Sequence, residues 1–290
     1  MRRRRMSRAV PRLTVVLALL IAAAAVVAIV VMRGGTRRPR PVIHAAVGAP
    51  RFVAPRRSHS GLDLYRSVDR VLSYTSYVRV GVGRRREVAL TFDDGPGPYT
   101  QAILRILTRT HTPATFFVIG RQALLYRRVV AAEARDGFEV GDHTETHPLL
   151  SALPVALQRA QIVDGARAIA SDAAPFPRLF RPPYGSFDAA TLAVLRATRM
   201  LIVLWTVDTS DYARPGVARI VYSALSGLRP GAIILMHDGG GDRRQTIAAL
   251  ARIIRGLHRR GYRAVTLSQL VGDDPPPHDQ PLPQPLSGGG

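Results

Sequence analysis

Between Arg85 and Leu270 the chain alternates two apolar patterns. Short runs such as "EVALTF", "ATFFVI", "GFEVG", "RLFR", "MLIVLW", "GAIILM" and "YRAVTL" are apolar or β-branched along most of their length, the pattern of strands covered on both faces. The intervening segments "YTQAILRILTRT", "RRVVAAEARDG", "VALQRAQIVDGARAIA", "DAATLAVLRAT" and "RQTIAALARIIRGLHRRG" place apolar residues at helical spacing. Strand and helix in repeated alternation predict one α/β domain over residues 85–270, built on a parallel sheet or barrel. Ahead of it, "GLDLYRSVDRVLSYTSYVRVG" is only half periodic. Its first part predicts a helix packed on the domain edge, and residues 61–84 read as an N-terminal extension.

The pattern changes at both ends. Leu13 to Met32 is twenty residues without a charge. At ~1.5 Å per residue, a helix of that length crosses a hydrocarbon core of about 30 Å. Residues 13–32 are therefore expected to be a transmembrane anchor, with 1–12 as a basic cytoplasmic tail and the α/β domain outside the cell membrane. Six arginines precede the apolar run and Arg33, Arg37, Arg38 and Arg40 follow it, so the positive-inside rule favours this orientation only modestly. The alternative is a signal segment, cleaved to secrete the domain, although such segments have a shorter apolar stretch of about 7–15 residues. Residues 33–60 are rich in Pro, Arg, Gly and Ser without an apolar period, which is the composition of a flexible linker. Residues 271–290, rich in Pro and Gly, are expected to be a disordered tail.

Composition narrows the chemistry. The chain has 290 residues and a formal charge of +21, and arginine alone carries the excess because lysine is absent. Such a charge favours anionic surfaces such as phospholipid heads, wall polymers or nucleic acid. The arginines, however, cluster at the N-terminus and scatter over helices without a recognition motif, so no nucleic-acid partner is expected. Cysteine is absent, which excludes disulfides and thiolate ligands and leaves any metal to histidine and carboxylate.

The unusual polar residues fall at the C-terminal ends of the predicted strands. Asp93 and Asp94 follow "VALTF", His143 and His147 follow "FEV", Arg181 follows "LF", Asp208 and Asp211 follow "LIVLWTV", and His237 and Asp238 follow "AIILM". In β/α barrels and open parallel sheets that end is where sites assemble, so these segments are expected to converge on one mouth. Two histidines four apart offer two imidazoles to a divalent ion, and Asp94 as third ligand leaves a position for water. Its neighbour Asp93 can then take that water's proton as general base. The same "DDGPGP" also suits an Asx-type turn that closes the strand. His237 can protonate a leaving group, its pKa raised by a carboxylate for which Asp208 and Asp211 are both candidates. Arg181 can pair with Asp93 and orient it, with the backbone N–H near Tyr184 available to an oxyanion.

Taken in order, "TFDDGP", "HTETH", "RPPYG", "DTSDY" and "LMHDG" resemble the five motifs of the polysaccharide deacetylases of carbohydrate esterase family four, the NodB-homology domain, over residues 85–270. The resemblance implies a distorted (β/α) barrel and metal-dependent removal of acetyl from N-acetylated, sometimes O-acetylated, sugars. It implies Asp93 as catalytic base, Asp94, His143 and His147 as metal ligands, Arg181 as the base's partner and His237 as general acid, assisted by Asp211. Zinc is the first expectation for the ion, with cobalt, nickel or manganese also compatible with two imidazoles and a carboxylate. Tyr184, Tyr212, Trp205 and Leu235 are the candidate substrate contacts, although Trp and Leu at strand ends more often belong to a core.

Two positions depart from the family pattern. Tyr212 stands where tryptophan is usual, which implies a smaller and more polar aromatic wall. Asp142 stands where asparagine often precedes the first histidine, adding a carboxylate that either makes the site more negative or hydrogen-bonds a loop. The expected activity is N-deacetylation of a polysaccharide, peptidoglycan first and chitin-like oligomers second. An O-acetyl esterase and a non-catalytic carbohydrate-binding protein are the alternatives. The expected partners are the N-acetylated polysaccharide and the membrane, the latter through residues 13–32.

Overall fold

The structure is a computed structural model that describes residues 61–171, 174–278 and 280. The expected cytoplasmic tail, anchor or signal segment, and linker, residues 1–60, lie outside the described residues, as do 281–290. No described helix is long and apolar enough to cross a membrane.

The apolar runs become strands β1 (Tyr77–Val78), β2 (Glu87–Gly95), β3 (Thr115–Val118), β4 (Glu139–Asp142) and β5 (Leu179–Phe180). They continue with β6 (Leu201–Val203), β7 (Val207–Asp208), β8 (Ala232–His237) and β9 (Arg263–Val265). All described pairings are parallel, in the order β1-β6-β5-β4-β3-β2-β8-β7, with β9 added beside the first residues of β2. The helices are α1 (Gly61–Leu72), α2 (Thr100–Arg109), α3 (Gly120–Leu125), α4 (Arg127–Arg135) and α5 (Val155–Ala170). They are followed by α6 (Ala189–Thr198), α7 (Val217–Ser226), α8 (Arg244–Arg259) and α9 (Leu267–Asp273).

The two-residue period of a strand sorts the core. Val88, Leu90 and Phe92 of β2, Phe116 and Val118 of β3, and Ala232, Ile234 and Met236 of β8 face one cluster, shared with α2, α4, α7 and α8. Phe180 and Ile202 face a second, under α5 and α6. The alternate positions Val78, Ala89, Phe117, Leu179, Leu201, Val203, Ile233 and Val265 come from seven strands yet meet in a single cluster. That meeting requires the sheet to curl, giving a distorted (β/α) barrel whose inner face these residues fill. Phe117 is fully buried there, and truncating such a ring costs about 3–5 kcal/mol.

Segments at both ends join the domain. The extension contributes not only α1, with Val68 and Val71 fully buried, but also β1, which pairs with β6. At the other end, residues 271–278, expected to be disordered, belong to the fold. Thr266 and Gln269 form a reciprocal capping box that starts α9, and α9 carries Leu267, Leu270 and Val271 into the inner cluster. Buried Asp274 then accepts the N–H groups of Gly83, at 2.7 Å, and Arg84, at 3.1 Å. Tyr74 donates its hydroxyl to the Pro276 carbonyl at 2.9 Å and stacks on His278. Proline and aspartate suit coil by composition, but here they close the loop that precedes β2.

Candidate active site

The inner-face register continues past the apolar cluster into the mouth. On β2, Ala89 is followed on the same face by Thr91 and Asp93; after β5, Leu179 is followed by Arg181; on β8, Ile233 is followed by Leu235 and His237. Arg181 is 0% exposed. Its Nη1 donates to Asp93 Oδ1 at 2.7 Å and to Thr91 Oγ1 at 2.8 Å, Nε donates to the Val203 carbonyl at 3.1 Å, and the cation lies 4.2 Å from the Phe117 ring centre. A buried charge needs such company, because leaving it unpaired there costs several kcal/mol. The pairing of Arg181 with Asp93 therefore has the geometry expected of it, with Asp93 itself 3% exposed.

Asp94 sits at an irregularity within β2. The β2 register shifts between Asp93 and Gly95, and Asp94 takes φ 73, so adjacent aspartates can serve one mouth instead of opposite faces. Gly95 has to be glycine, since a Cβ there would fall 2.1 Å from Asp238 Oδ2. Asp94 Oδ1 lies 3.5 Å from His143 Nε2 and 3.2 Å from His147 Nε2. Neither contact is aligned as a hydrogen bond, so this buried oxygen has no donor among the described residues. Burial would raise the Asp94 pKa, but the two imidazoles hold it well below the carboxylate range. One ligand atom from each of Asp94, His143 and His147 fits within 4.8 Å, the dimension of a shared ion site. The second nitrogen of His143, Nδ1, is 2.6 Å from the Arg181 carbonyl, which directs Nε2 at Asp94. Asp94, Thr144 (φ 71) and His147 (φ 65) are all non-glycine residues in the left-handed region, a strain that is held by the surrounding structure.

On the opposite side of the mouth, His237 Nδ1 is 2.7 Å from Asp211 Oδ1, and the His237 N–H donates to Asp211 Oδ2 at 2.9 Å. Burial would lower the His237 pKa, but Asp211, and at longer range Asp93 and Asp94, raise it to about 9. The structure thus chooses between the two candidates. Asp208 is exposed and accepts the N–H of Ser210 in a local turn. Tyr184 and Tyr212 are exposed at the rim, edge-on to His147 at 4.9 Å and to His237 at 5.4 Å between ring centres. Trp205 and Leu235 lie deeper: Trp205 packs against the inner cluster 5.7 Å from the Arg181 cation, and Leu235 is buried in β8.

Asp142 resolves toward the second of its two expectations. Its Oδ1 accepts the Thr144 N–H at 2.9 Å, so it braces a loop, and burial pushes its carboxyl well above the usual range. Several further residues shape the site without a role assigned from the sequence. Asp238, fully buried, accepts the Thr100 hydroxyl at 2.5 Å and is pushed up to about 7 by burial. Arg243, 3% exposed, donates from Nε to the Gly239 carbonyl at 2.6 Å and from Nη2 to the Gly240 carbonyl at 3.0 Å. It thereby folds a glycine loop against Asp94 so closely that a Cβ at Gly240 would fall 2.5 Å from Asp94 Oδ2. Thr246 donates to Asp211 Oδ2 at 2.6 Å. In the sequence these last two read as ordinary polar residues at the start of a helix.

Residues 81–203 match the polysaccharide deacetylase family. Over 207 residues the chain is 44% identical to a chitooligosaccharide deacetylase of Bradyrhizobium sp. (strain ANU 289), a match spanning 65% of this chain and 92% of the relative. It is 38% identical over 204 residues to a peptidoglycan-N-acetylglucosamine deacetylase of Bacillus cereus, spanning 69% of this chain and 95% of the relative. A crystal structure of a peptidoglycan N-acetylglucosamine deacetylase, solved in complex with 4-naphthalen-1-yl-N-oxidanyl-benzamide, matches with a TM-score of 0.66 at 34% identity, over 70% of this chain and 95% of that one. A likeness of this extent, in sequence and backbone alike, places the chain in the polysaccharide deacetylase family, the NodB-like hydrolases of carbohydrate esterase family 4.

Proposed function

We propose that the protein removes N-acetyl groups from a cell-wall polysaccharide, with peptidoglycan as first substrate and chitin-like oligomers as second. The observation that carries this reading is the meeting at one mouth of Asp93 paired with Arg181, the Asp94–His143–His147 group, and His237 paired with Asp211.

The donorless Asp94 oxygen between two imidazoles suits a divalent ion, zinc ahead of cobalt, nickel or manganese. Bound there, such an ion would supply Lewis-acid polarisation of the acyl oxygen and a lowered pKa for water. Asp93 acts as general base: Arg181 occupies Oδ1, while Oδ2 is turned toward the ligand side, 3.8 Å from His143 Nε2, and takes the proton of the attacking water. His237 acts as general acid. With Nδ1–H committed to Asp211, its Nε2–H goes to the departing nitrogen, a step an amide requires because an unprotonated amine is a poor leaving group. The backbone N–H of Tyr184 is the candidate donor to the oxyanion. Tyr184 and Tyr212 flank the mouth as faces for sugar rings, Tyr212 offering a smaller face than tryptophan, with Trp205 and Leu235 beneath them. The apolar run at 13–32 would tether this catalyst outside the cell membrane beside the wall.

The test is acetate release by the full chain from N-acetylated peptidoglycan and chito-oligosaccharides. Acetate matched by free amine is expected, lost on chelation, restored by zinc or cobalt, and reduced by about 10²–10⁴-fold in Asp93→Asn. Acetate matched by new hydroxyl groups identifies an O-acetyl esterase instead. No acetate from folded, metal-loaded protein on either polymer overturns the proposal.

A further inference from the structure

Asp211 belongs to a loop with little intrinsic reason to hold its shape. Ser210 (φ 51) and Arg214 (φ 54) are non-glycine residues in the left-handed region, and Gly216 (φ 98) follows them. Such residues persist only where surrounding contacts hold them. The contacts come from the start of α8. Arg243 reaches the Tyr212 carbonyl with Nη1 at 3.4 Å while its other nitrogens hold Gly239 and Gly240, so it spans the loops after β7 and β8. Gln245 Oε1 accepts the Gly216 N–H at 2.8 Å. Fully buried Thr246 donates its hydroxyl to Asp211 Oδ2 at 2.6 Å.

Asp211 therefore has three described donors, and two of them, the ring and the backbone N–H of His237, belong to the residue it is meant to orient. Among the described donors, only the Thr246 hydroxyl ties the carboxylate to an element other than β8, the strand that carries His237. From this we infer that Thr246 is a positioning residue for the general acid: it sets the Asp211 carboxylate and, through it, the direction of the His237 ring. Gln245 and Arg243 keep the loop within its reach. The inference rests on the proposed role of His237 and extends it to a residue that touches neither the metal ligands nor the mouth. The chemistry is specific to a hydroxyl. Valine has nearly the same shape without the donor, and serine keeps the donor without the methyl group.

The test compares wild type, Thr246→Val and Thr246→Ser in the full chain, by kinetics and by proton–nitrogen spectra of histidine-labelled protein. Thr246→Val is expected to lower kcat about 10-fold, the worth of one buried hydrogen bond to a charged group. KM should stay within about twofold, since no substrate contact is lost. The Nδ1–H resonance of His237 should shift or broaden, while that of His143, held by the Arg181 carbonyl, stays in place. Thr246→Ser should restore both readouts. Wild-type kcat together with an unmoved His237 resonance in Thr246→Val overturns the inference, as does equal disturbance of His143, which signals general loosening. If valine prevents folding, Thr246→Ala carries the same comparison. Should the wild type release no acetate from any polymer, the proposed function fails separately, and the two resonances still report whether Thr246 positions His237.

Discussion

Asp94 and Asp211 each face histidine, and each is held below the usual carboxylate range against the opposing effect of burial, yet their surroundings are opposite in kind. Asp211 is saturated. The His237 ring, the His237 N–H and the Thr246 hydroxyl all donate to it, and the pair needs nothing further to keep its proton. Asp94 Oδ1 is buried between two imidazole nitrogens at 3.2 and 3.5 Å without one aligned donor among the described residues. The contrast extends to the backbone. Asp94, Thr144 and His147 themselves carry positive φ, whereas His237 sits in regular β8 and the strain on its side is displaced into the 210–216 loop. One half of the site is thus completed by the protein, and the other has the donor set and spacing that a shared cation completes.

That division can be broken most directly by exchanging each carboxylate for its amide. Asp94→Asn is expected to abolish zinc uptake and reduce activity by at least about 10³-fold. Asp211→Asn should bind zinc as wild type does in a chelator competition while losing about 10²-fold in kcat. Loss of zinc in both variants would mean that the halves are not separable. A metal titration sharpens the point. Zinc at 100 times its Kd should stabilise wild type and Asp211→Asn by about 2.7 kcal/mol, and leave the melting point of His143→Ala unmoved.

The pH profile reads the acid half. As the proposed general acid, His237, raised to about 9, has to be protonated to act, so wild-type kcat should fall as pH rises through about 9. In Asp211→Asn that alkaline limb should move down toward the ordinary histidine value of 6.5. The stability sign is the same. A histidine whose folded pKa is raised contributes stability that is fully present below 6.5 and is lost as pH rises through about 9. An alkaline limb at the same pH in both proteins would show that Asp211 does not set the acid.

Which parts of this were legible in the sequence follows from how local each signal is. The long apolar strands and amphipathic helices declare their period, and strand-end polarity marks the mouth because every parallel strand points its C-terminus the same way. The five motifs added roles that no single segment carries. Two-residue strands such as Tyr77–Val78 and Val207–Asp208 are shorter than any period and exist only because their neighbours pair with them. Nothing local distinguishes Asp208 from Asp211, three residues apart; only the fold shows which one meets His237. Thr246 and Arg243 look like solvent-facing residues at a helix start because the loops that bury them lie about thirty residues away. Asp274 misled for the same reason, its acceptors being satisfied by residues 190 and 191 positions earlier.

The smallest expected effect lies at Asp142, where the comparison between the halves meets its closest neighbour. It adjoins His143, so an ionised carboxylate there would add negative charge to the metal side. The structure disfavours that charge: among the described residues Oδ1 accepts the Thr144 N–H and Oδ2 has no donor, both are buried, and burial, helped by Glu145, raises the pKa well above the ordinary range. The raised pKa favours the neutral form, which is close to asparagine in shape, so Asp142→Asn should change zinc affinity and kcat by no more than about twofold. Stability is where the two part. Because the folded pKa is raised, wild type is favoured at low pH and loses stability as pH climbs from the ordinary value of 3.8 toward the raised one, while asparagine has no proton to lose. The melting point of Asp142→Asn should therefore gain on wild type between about pH 4 and pH 7. A gap that stays constant over that range, together with weakened zinc binding in the variant, would show that Asp142 is charged and belongs with Asp94 among the groups the cation has to balance.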